Sequence, residues 1–274
     1  MEDLLRAAVL GIIQGLTEFL PISSSGHLIL VPALFRWPDQ GLSFDVGLHL
    51  GTLLALLVYF WRDWWTMIRF GLIDLRHHQF HMRSYRDESR LIWLLALGSV
   101  PAAVAGLLFN HWIEENVRQP WLVAITLAAV GAILLVADRA GRRDRTADGT
   151  GVLDIVIIGC AQACALIPGV SRSGATMSAA LFRNFARNDA ARLAFLLGTP
   201  AFVGAALLKA KDLGGESSHE FGQLAVGFAC SAIVGFVVIH LLLRYLRTRS
   251  LVPFVVYRWG VAALTIVIAA VRIA

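Results

Sequence analysis

Two short stretches of the chain place reactive polar side chains inside strongly apolar sequence. Residues 14–27 read QGLTEFLPISSSGH, and residues 167–176 read IPGVSRSGAT. Serine and histidine serve as nucleophiles or proton carriers, glutamate as a base or metal ligand, and arginine as a forked donor to phosphate. Each stretch also leads through Ser-Gly into a new helix, whose free N–H groups attract anions. This combination predicts an anion-binding site that is capable of phosphoryl transfer.

The composition of the chain predicts that these residues lie inside a membrane. Of the 274 residues, 57% are hydrophobic and 16% are charged, and the mean hydropathy is +0.68. A soluble protein needs more polar surface, and period-two alternation is absent, so we predict an all-α integral membrane protein. The first apolar stretch carries Glu18 and lacks a basic lead, so no cleavable signal peptide is expected. The arginines that give the net charge of +5 lie in short loops and form no extended basic face, so no nucleic-acid partner is expected.

Six segments are long and apolar enough to cross the bilayer as helices. They are roughly 43–61, 91–109, 120–138, 190–208, 222–243 and 251–273. Arginines crowd the loops 62–90, 139–149 and 244–249, which the positive-inside rule places in the cytoplasm. The more acidic loops 110–119 and 209–221 are predicted to lie outside, together with both termini.

Two further apolar segments, about 4–36 and about 152–187, are each interrupted in the middle by one of the polar stretches. Non-helical backbone at membrane depth is tolerated only where protein or a water-filled cavity satisfies its polar groups. We therefore predict two re-entrant helix pairs, each entering the membrane, turning near its middle and returning to the same side.

The two interrupted segments also align with one another. At one shift of 148 residues, Gly11, Gln14, Ser23, Ser25 and Gly26 match Gly159, Gln162, Ser171, Ser173 and Gly174. The similarity continues downstream, where LALGSVPAAVAG at 95–106 resembles LAVGFACSAIVG at 224–235. An odd number of spans in each half predicts an inverted-topology repeat, with the broken helices meeting near the midplane. The chain would then be one membrane domain, 1–274, with repeats of about 1–138 and 151–274.

Glu18 and Arg172 are the strongest functional candidates, because ionisable side chains in apolar membrane segments are functional by default. Gln14 lies one helical turn before Glu18 and shares its face. Serines such as Ser25 and Ser173 also serve as packing and capping residues in membrane helices, so each is a weaker signal by itself.

Other polar residues fit structural roles. Cys160 and Cys164 suit apolar packing, and the histidine-rich stretch 77–81 suits a solvated basic loop better than a metal site. His49 is expected near the membrane surface, and His240 near a helix end.

The two polar stretches resemble the signature regions of the bacterial undecaprenyl-pyrophosphate phosphatase (UppP/BacA) family, and the resemblance extends over essentially the whole chain. It implies a hydrolase of the inner membrane that removes one phosphate from the C55 isoprenoid diphosphate. This reaction recycles the lipid carrier for peptidoglycan, supports cell-wall biogenesis and cell shape, and is linked to bacitracin resistance. The resemblance also implies a divalent cation, Mg²⁺ or Ca²⁺.

The resemblance assigns roles to particular residues, and the first polar stretch itself adds Ser23 and Ser25. The catalytic set is Ser24, His27 and Glu18, the diphosphate-binding set is Arg172, Ser171, Ser173, Thr176, Ser23 and Ser25, and the metal set is Glu18 and Gln14. The family motif allows glutamate or glutamine at the position of Gln14, and a neutral amide would bind the metal more weakly than a carboxylate.

Several alternatives stay open at this point. Ser24 is the favoured nucleophile, with His27 or Glu18 taking its proton, and direct attack by His27 is the rival. The rival function is a transporter or flippase for a polyprenyl phosphate lipid, since broken helices in inverted repeats are also a transporter architecture. The oligomeric state, monomer or homodimer, is open as well. The topology predicts a site that opens toward the periplasm.

Overall fold

The computed structural model describes residues 2–37, 42–78, 85–117, 119–209 and 218–273. Within these ranges the chain forms eleven α-helices and one short 3₁₀ helix, Ala147–Gly149. The α-helices are α1 (Glu2–Phe19), α2 (Ser24–Phe35), α3 (Leu42–Tyr59), α4 (Trp61–His78), α5 (Asp87–Asn116), α6 (Pro120–Ala140), α7 (Val152–Cys164), α8 (Arg172–Phe182), α9 (Arg187–Lys209), α10 (Ser218–Leu246) and α11 (Val252–Ile273).

Five of the described helices are long and apolar enough to cross a membrane, namely α5, α6, α9, α10 and α11. A sixth span is formed if α3 and α4 count as one pair, which is bent by 70° at its break. Each of the six predicted segments coincides with one of these helices. The all-α class and the multi-pass membrane architecture are therefore confirmed.

Helix α4 was not predicted, because its arginines suggested a cytoplasmic loop over residues 62–90. Residues Trp61–His78 form an amphipathic helix instead. Met67 is buried and Trp64 packs against the core, while Trp61 and Trp65 are exposed. Apolar residues spaced three and four apart thus outweigh the charges between them.

Some predictions fall on residues that the structure leaves outside its description. They concern residues 79–84, with most of the histidine-rich stretch, Arg118, and residues 210–217 of the acidic loop.

Both interrupted segments are broken helices, as predicted. Helix α1 ends at Phe19 and α2 begins at Ser24, while α7 ends at Cys164 and α8 begins at Arg172. The residue before each new helix is a serine with positive φ, 75° at Ser23 and 70° at Ser171. The Ser23 hydroxyl accepts a hydrogen bond from Gly26 N at 3.4 Å, and the Ser171 hydroxyl accepts one from Gly174 N at 3.2 Å. The two helix starts are therefore built alike, each with an N-cap at a matched position.

Helix packing follows the same correspondence between the halves. A Cβ added to Gly11 of α1 would lie 2.4 Å from Gly227 O of α10. A Cβ added to Gly159 of α7 would lie 2.1 Å from Gly98 O of α5. Gly11 matches Gly159, and Gly98 matches Gly227. The two close helix contacts are therefore made by matched pairs of glycines in the two halves. The division into two repeats and their inverted directions stay predictions that these contacts favour.

The largest cluster of buried apolar residues contains residues from both halves, including residues of the broken helices. Phe19, at the end of α1, is fully buried and meets the ring of Phe195 edge to face at 5.4 Å between centroids. The ring centroid of Phe60 lies 6.5 Å from that of Phe195. This packing fixes the end of α1, and with it the neighbouring Glu18.

Candidate active site

Glu18 is the centre of a buried polar cluster at the end of α1. It is 6% exposed, and the two helix starts reach it from opposite sides. Ser24 Oγ donates to Glu18 Oε2 at 2.6 Å, and Arg172 Nη2 donates to Glu18 Oε1 at 3.0 Å. Gln14 Nε2 adds a third donor to Oε2 at 2.8 Å. The carboxylate therefore connects a serine of the first turn to an arginine of the second.

Arg172 is held from three directions. Besides its bond to Glu18, its Nη1 donates to Gly198 O of α9 at 3.2 Å, and its Cζ lies 3.6 Å from the ring centroid of Phe202. Its Nε is buried and has no hydrogen-bond partner among the described residues. The guanidinium thus keeps an unused donor at the site.

His27 points away from Ser24. Its Nδ1 lies 2.7 Å from Ser23 O and its Nε2 lies 2.7 Å from the hydroxyl of Tyr257 on α11. Because a carbonyl oxygen only accepts, Nδ1 carries the proton, and Nε2 of the neutral ring accepts from the tyrosine. Of the two predicted bases, Glu18 is the one that this structure brings to the Ser24 hydroxyl.

The remaining predicted hydroxyls mostly build the turns. Ser173 Oγ donates to Leu20 O across the two segments at 3.0 Å, and lies 3.2 Å from Ser171 Oγ. Thr176 Oγ1 donates to Arg172 O within α8 at 2.7 Å. All three of these side chains are buried.

In the first turn, Ser23 is buried and caps α2, with its Oγ 3.3 Å from Ser25 Oγ, whereas Ser25 is exposed. Contact of these serines and of Thr176 with a diphosphate stays a prediction.

Arg258 is a residue of the site that the sequence reasoning missed. Its side chain is fully buried in α11. Its Nη1 donates to Pro21 O in the first turn at 3.2 Å, and its Nη2 to Gly169 O in the second at 2.9 Å. Its Nε donates to Leu127 O of α6 at 3.0 Å. One guanidinium therefore ties both turns to a spanning helix, and an arginine inside the apolar segment 251–273 was the available signal.

His49 is closer to the site than its position in the sequence suggested. Its Nε2 lies 3.7 Å from Glu18 Oε2, and its Nδ1 is 2.7 Å from Asp45 O. His240, in contrast, contacts Tyr59 at 3.3 Å, away from the cluster, which suits the predicted structural role.

A buried carboxylate, a hydroxyl bonded to it, a guanidinium and two adjoining helix N-termini form a set that can hold a phosphate group and activate an oxygen nucleophile. The fold and the site together define a multi-pass helical membrane protein with a charged site between two broken helices.

Comparison with known proteins identifies the family. The chain belongs to the family described as bacitracin resistance protein BacA, whose model matches residues 7–264. A protein from Moorella thermoacetica is 47% identical over 265 residues, covering 96% of this chain and 97% of the relative. Proteins from Nocardioides sp. and Geobacter sulfurreducens are 44% and 48% identical, covering 98% and 93% of this chain and 98% and 94% of their own lengths. All three relatives are named undecaprenyl-diphosphatase.

Proposed function

We propose that the protein is an undecaprenyl-diphosphate phosphatase, which hydrolyses the C55 isoprenoid diphosphate to the monophosphate and inorganic phosphate. The names of its relatives support this activity. The observation that carries it for this chain is the hydrogen-bonded series from Ser24 Oγ through Glu18 to Arg172. A nucleophile, its base and a phosphate-binding cation are thus already in contact.

The reaction follows from this arrangement in two steps. Ser24 Oγ attacks the terminal phosphorus while its proton passes to Glu18 Oε2. The bond from that phosphorus to the bridging oxygen breaks, and its electron pair leaves with the prenyl monophosphate. Water then attacks the phosphoserine, Glu18 returns its proton to Ser24 Oγ as the bond from that oxygen to phosphorus breaks, and inorganic phosphate leaves with the protons of the water. The 2.6 Å contact supports Glu18 as the base.

Arg172 and the two helix starts hold the negative charge of the diphosphate. The guanidinium presents donors in a fixed fork, and the unpaired N–H groups of α2 and α8 add positive partial charge beside it. Because Arg172 is largely buried, its attraction for phosphate oxygens is stronger than it would be in water.

The residues present also fit a divalent cation. Gln14 Oε1 is buried and lacks a partner among the described residues, and the same amide donates through Nε2 to Glu18 Oε2. Two protein oxygens suffice for Mg²⁺, which commonly completes its coordination with water and substrate phosphates. We propose that Gln14 and Glu18 hold the cation, which would neutralise charge on the diphosphate when bound.

A Gln14→Glu variant tests this assignment. A second carboxylate binds Mg²⁺ more strongly than a neutral amide, so the Mg²⁺ concentration for half-maximal activity should fall by about tenfold. The measurement is phosphate release against free Mg²⁺ in the variant and in the wild type. An unchanged or higher Mg²⁺ requirement would remove Gln14 from the metal site.

The alternative function, transport of a polyprenyl phosphate lipid, needs an anion site but no activated hydroxyl. The purified protein in detergent decides between them. We expect one phosphate to be released from each molecule of C55 or C15 prenyl diphosphate and none from the prenyl monophosphate, which is the matched control substrate. A protein that binds the lipid and releases no phosphate would be a carrier and not a phosphatase.

We also propose that the protein lies in the bacterial inner membrane, with the site opening to the periplasm. The arginine-rich segment 139–149 supports a cytoplasmic position for that loop, and the predicted topology then makes the first broken helix enter the membrane from the periplasm.

Cysteine labelling of intact cells tests this orientation, in a background that lacks Cys160, Cys164 and Cys230. An Arg142→Cys variant should resist a membrane-impermeant maleimide until the cells are permeabilised, whereas Gln119→Cys should react at once. Both positions are exposed, so accessibility within the protein is matched. The reverse pattern would invert the orientation.

A further inference from the structure

We propose that Gly198 and Phe202 of α9 form a clamp that orients the guanidinium of Arg172 and thereby sets the affinity of the site for the diphosphate group. The assignment of the ligand rests on the proposed function. The two residues are four positions apart and share one face of α9. Both are positioning residues that act through Arg172.

Three different contacts hold the guanidinium, and the clamp supplies two of them. Gly198 O accepts from Arg172 Nη1 at 3.2 Å, and the ring of Phe202 lies 3.6 Å from Arg172 Cζ. Glu18 of α1 takes the remaining bond, from Nη2. A backbone oxygen, an aromatic face and a carboxylate together leave the guanidinium little freedom to rotate.

Glycine is required at position 198 because the guanidinium occupies the space of a side chain. A Cβ there would lie 2.4 Å from Arg172 Nη1, 2.6 Å from Cζ and 3.2 Å from Nε. These three nearest atoms all belong to the end of one long side chain. Alanine would therefore displace the guanidinium and leave the packing of the helices in place.

The sequence Leu197-Gly198-Thr199 is matched in the first half by Leu50-Gly51-Thr52 of α3, where the glycine has a different role. A Cβ on Gly51 would lie 2.0 Å from Ser231 Oγ and 2.4 Å from Phe228 O, which belong to the neighbouring helix α10. The Leu-Gly-Thr sequence therefore allows two helices to approach in the first half. In the second half the same sequence makes room for Arg172.

The clamp leaves the guanidinium with donors for a ligand. Nη1 and Nη2 each carry two N–H groups and each gives one to the protein, while Nε has no partner among the described residues. The ring of Phe202 covers the guanidinium plane. Its centroid lies 6.1 Å from that of the His49 ring on α3. The clamp thus acts on the phosphate-binding end of the site, so inorganic pyrophosphate, which lacks the prenyl chain, is the suitable probe.

The test compares Gly198→Ala with Gly204→Ala, since a Cβ on Gly204 of the same helix meets nothing within 4 Å. Binding of inorganic pyrophosphate to the purified protein is measured by calorimetry, and KM, kcat and thermal unfolding are measured beside it. Gly198→Ala should weaken pyrophosphate binding and raise KM by about tenfold or more, because a charge-assisted contact is displaced. Gly204→Ala should match the wild type, and both variants should unfold at similar temperatures.

A second pair of variants isolates the aromatic face and serves if Gly198→Ala folds poorly. Phe202→Tyr keeps the ring and should bind pyrophosphate like the wild type, whereas Phe202→Leu keeps apolar volume without the ring and should bind several-fold more weakly. Equal binding by these two variants, or normal binding by a folded Gly198→Ala variant, would overturn the clamp.

The design separates the clamp from the proposed function. A wild-type protein that binds pyrophosphate no better than Arg172→Ala would overturn the clamp. A protein that binds pyrophosphate through the clamp yet releases no phosphate from a prenyl diphosphate would refute the proposed function and leave the clamp in place.

Discussion

The Arg172→Lys variant is expected to lose at least about a hundredfold in phosphate release from a prenyl diphosphate while it remains folded. Lysine keeps the charge, but its one nitrogen does not reproduce the separate Nη1 and Nη2 contacts to Gly198 O and Glu18 or the planar fork that arginine presents to phosphate. The guanidinium stabilises the charge that develops on the phosphoryl group in the transition state. Its loss should therefore lower kcat as well as kcat/KM.

The matched control for this variant is Arg142→Lys, since the Arg142 side chain is exposed and pairs with Asp144 on the loop. It should retain the activity of the wild type. Arg172→Ala is the less informative change, because it leaves Glu18 buried without its cation and costs about 3–5 kcal/mol of stability. Normal turnover by a folded Arg172→Lys protein would show that the guanidinium does not hold the diphosphate.

The second large effect concerns the nucleophile. Ser24→Ala removes the hydroxyl that lies 2.6 Å from Glu18 and should reduce kcat by about four orders of magnitude or more. Ser99→Ala is a suitable control, because its hydroxyl donates to Leu95 O within α5 and lies outside the site. Wild-type protein stopped during turnover should contain phosphoserine at position 24, stable to acid.

Two other results of the trapping experiment would change the mechanism. An acid-labile phosphohistidine at His27 would make the imidazole the nucleophile, which requires the ring to leave its bond with Tyr257. If no phosphoenzyme forms and Ser24→Ala keeps its activity, water attacks the diphosphate directly and Glu18 serves as its base.

The broken helices could be predicted from the sequence, because hydropathy and the interruption of an apolar segment by proline, serine and glycine are local signals. Ser23 and Ser171 each mark the start of a helix within one residue. Helix α4 was missed because charge pattern alone suggested a loop, while the burial of Met67 depends on the neighbouring helices.

The partners within the site depend on three-dimensional packing and could not be predicted. By spacing alone, His27 and Glu18 were equally plausible bases for Ser24. The structure distinguishes them, because Ser24 Oγ bonds Glu18 while His27 Nδ1 bonds Ser23 O. Gly198 and Arg258 act from helices that are distant in sequence. Neither the close approach of Arg172 to α9 nor the bonds of Arg258 to both turns leaves a local pattern in the chain.

The matched helix starts have a consequence for stoichiometry. Ser24 and Arg172 occupy the same place in the two repeats, each as the first residue of its helix, and one carboxylate lies between them. The residue that matches Glu18 in the second repeat is Leu166. On the proposed mechanism, the first broken helix supplies the nucleophile and its base, and the second supplies the guanidinium. On the proposed mechanism each chain holds one phosphoryl group at a time, and a pre-steady-state burst of prenyl monophosphate, the product released first, should approach one equivalent per polypeptide and not two.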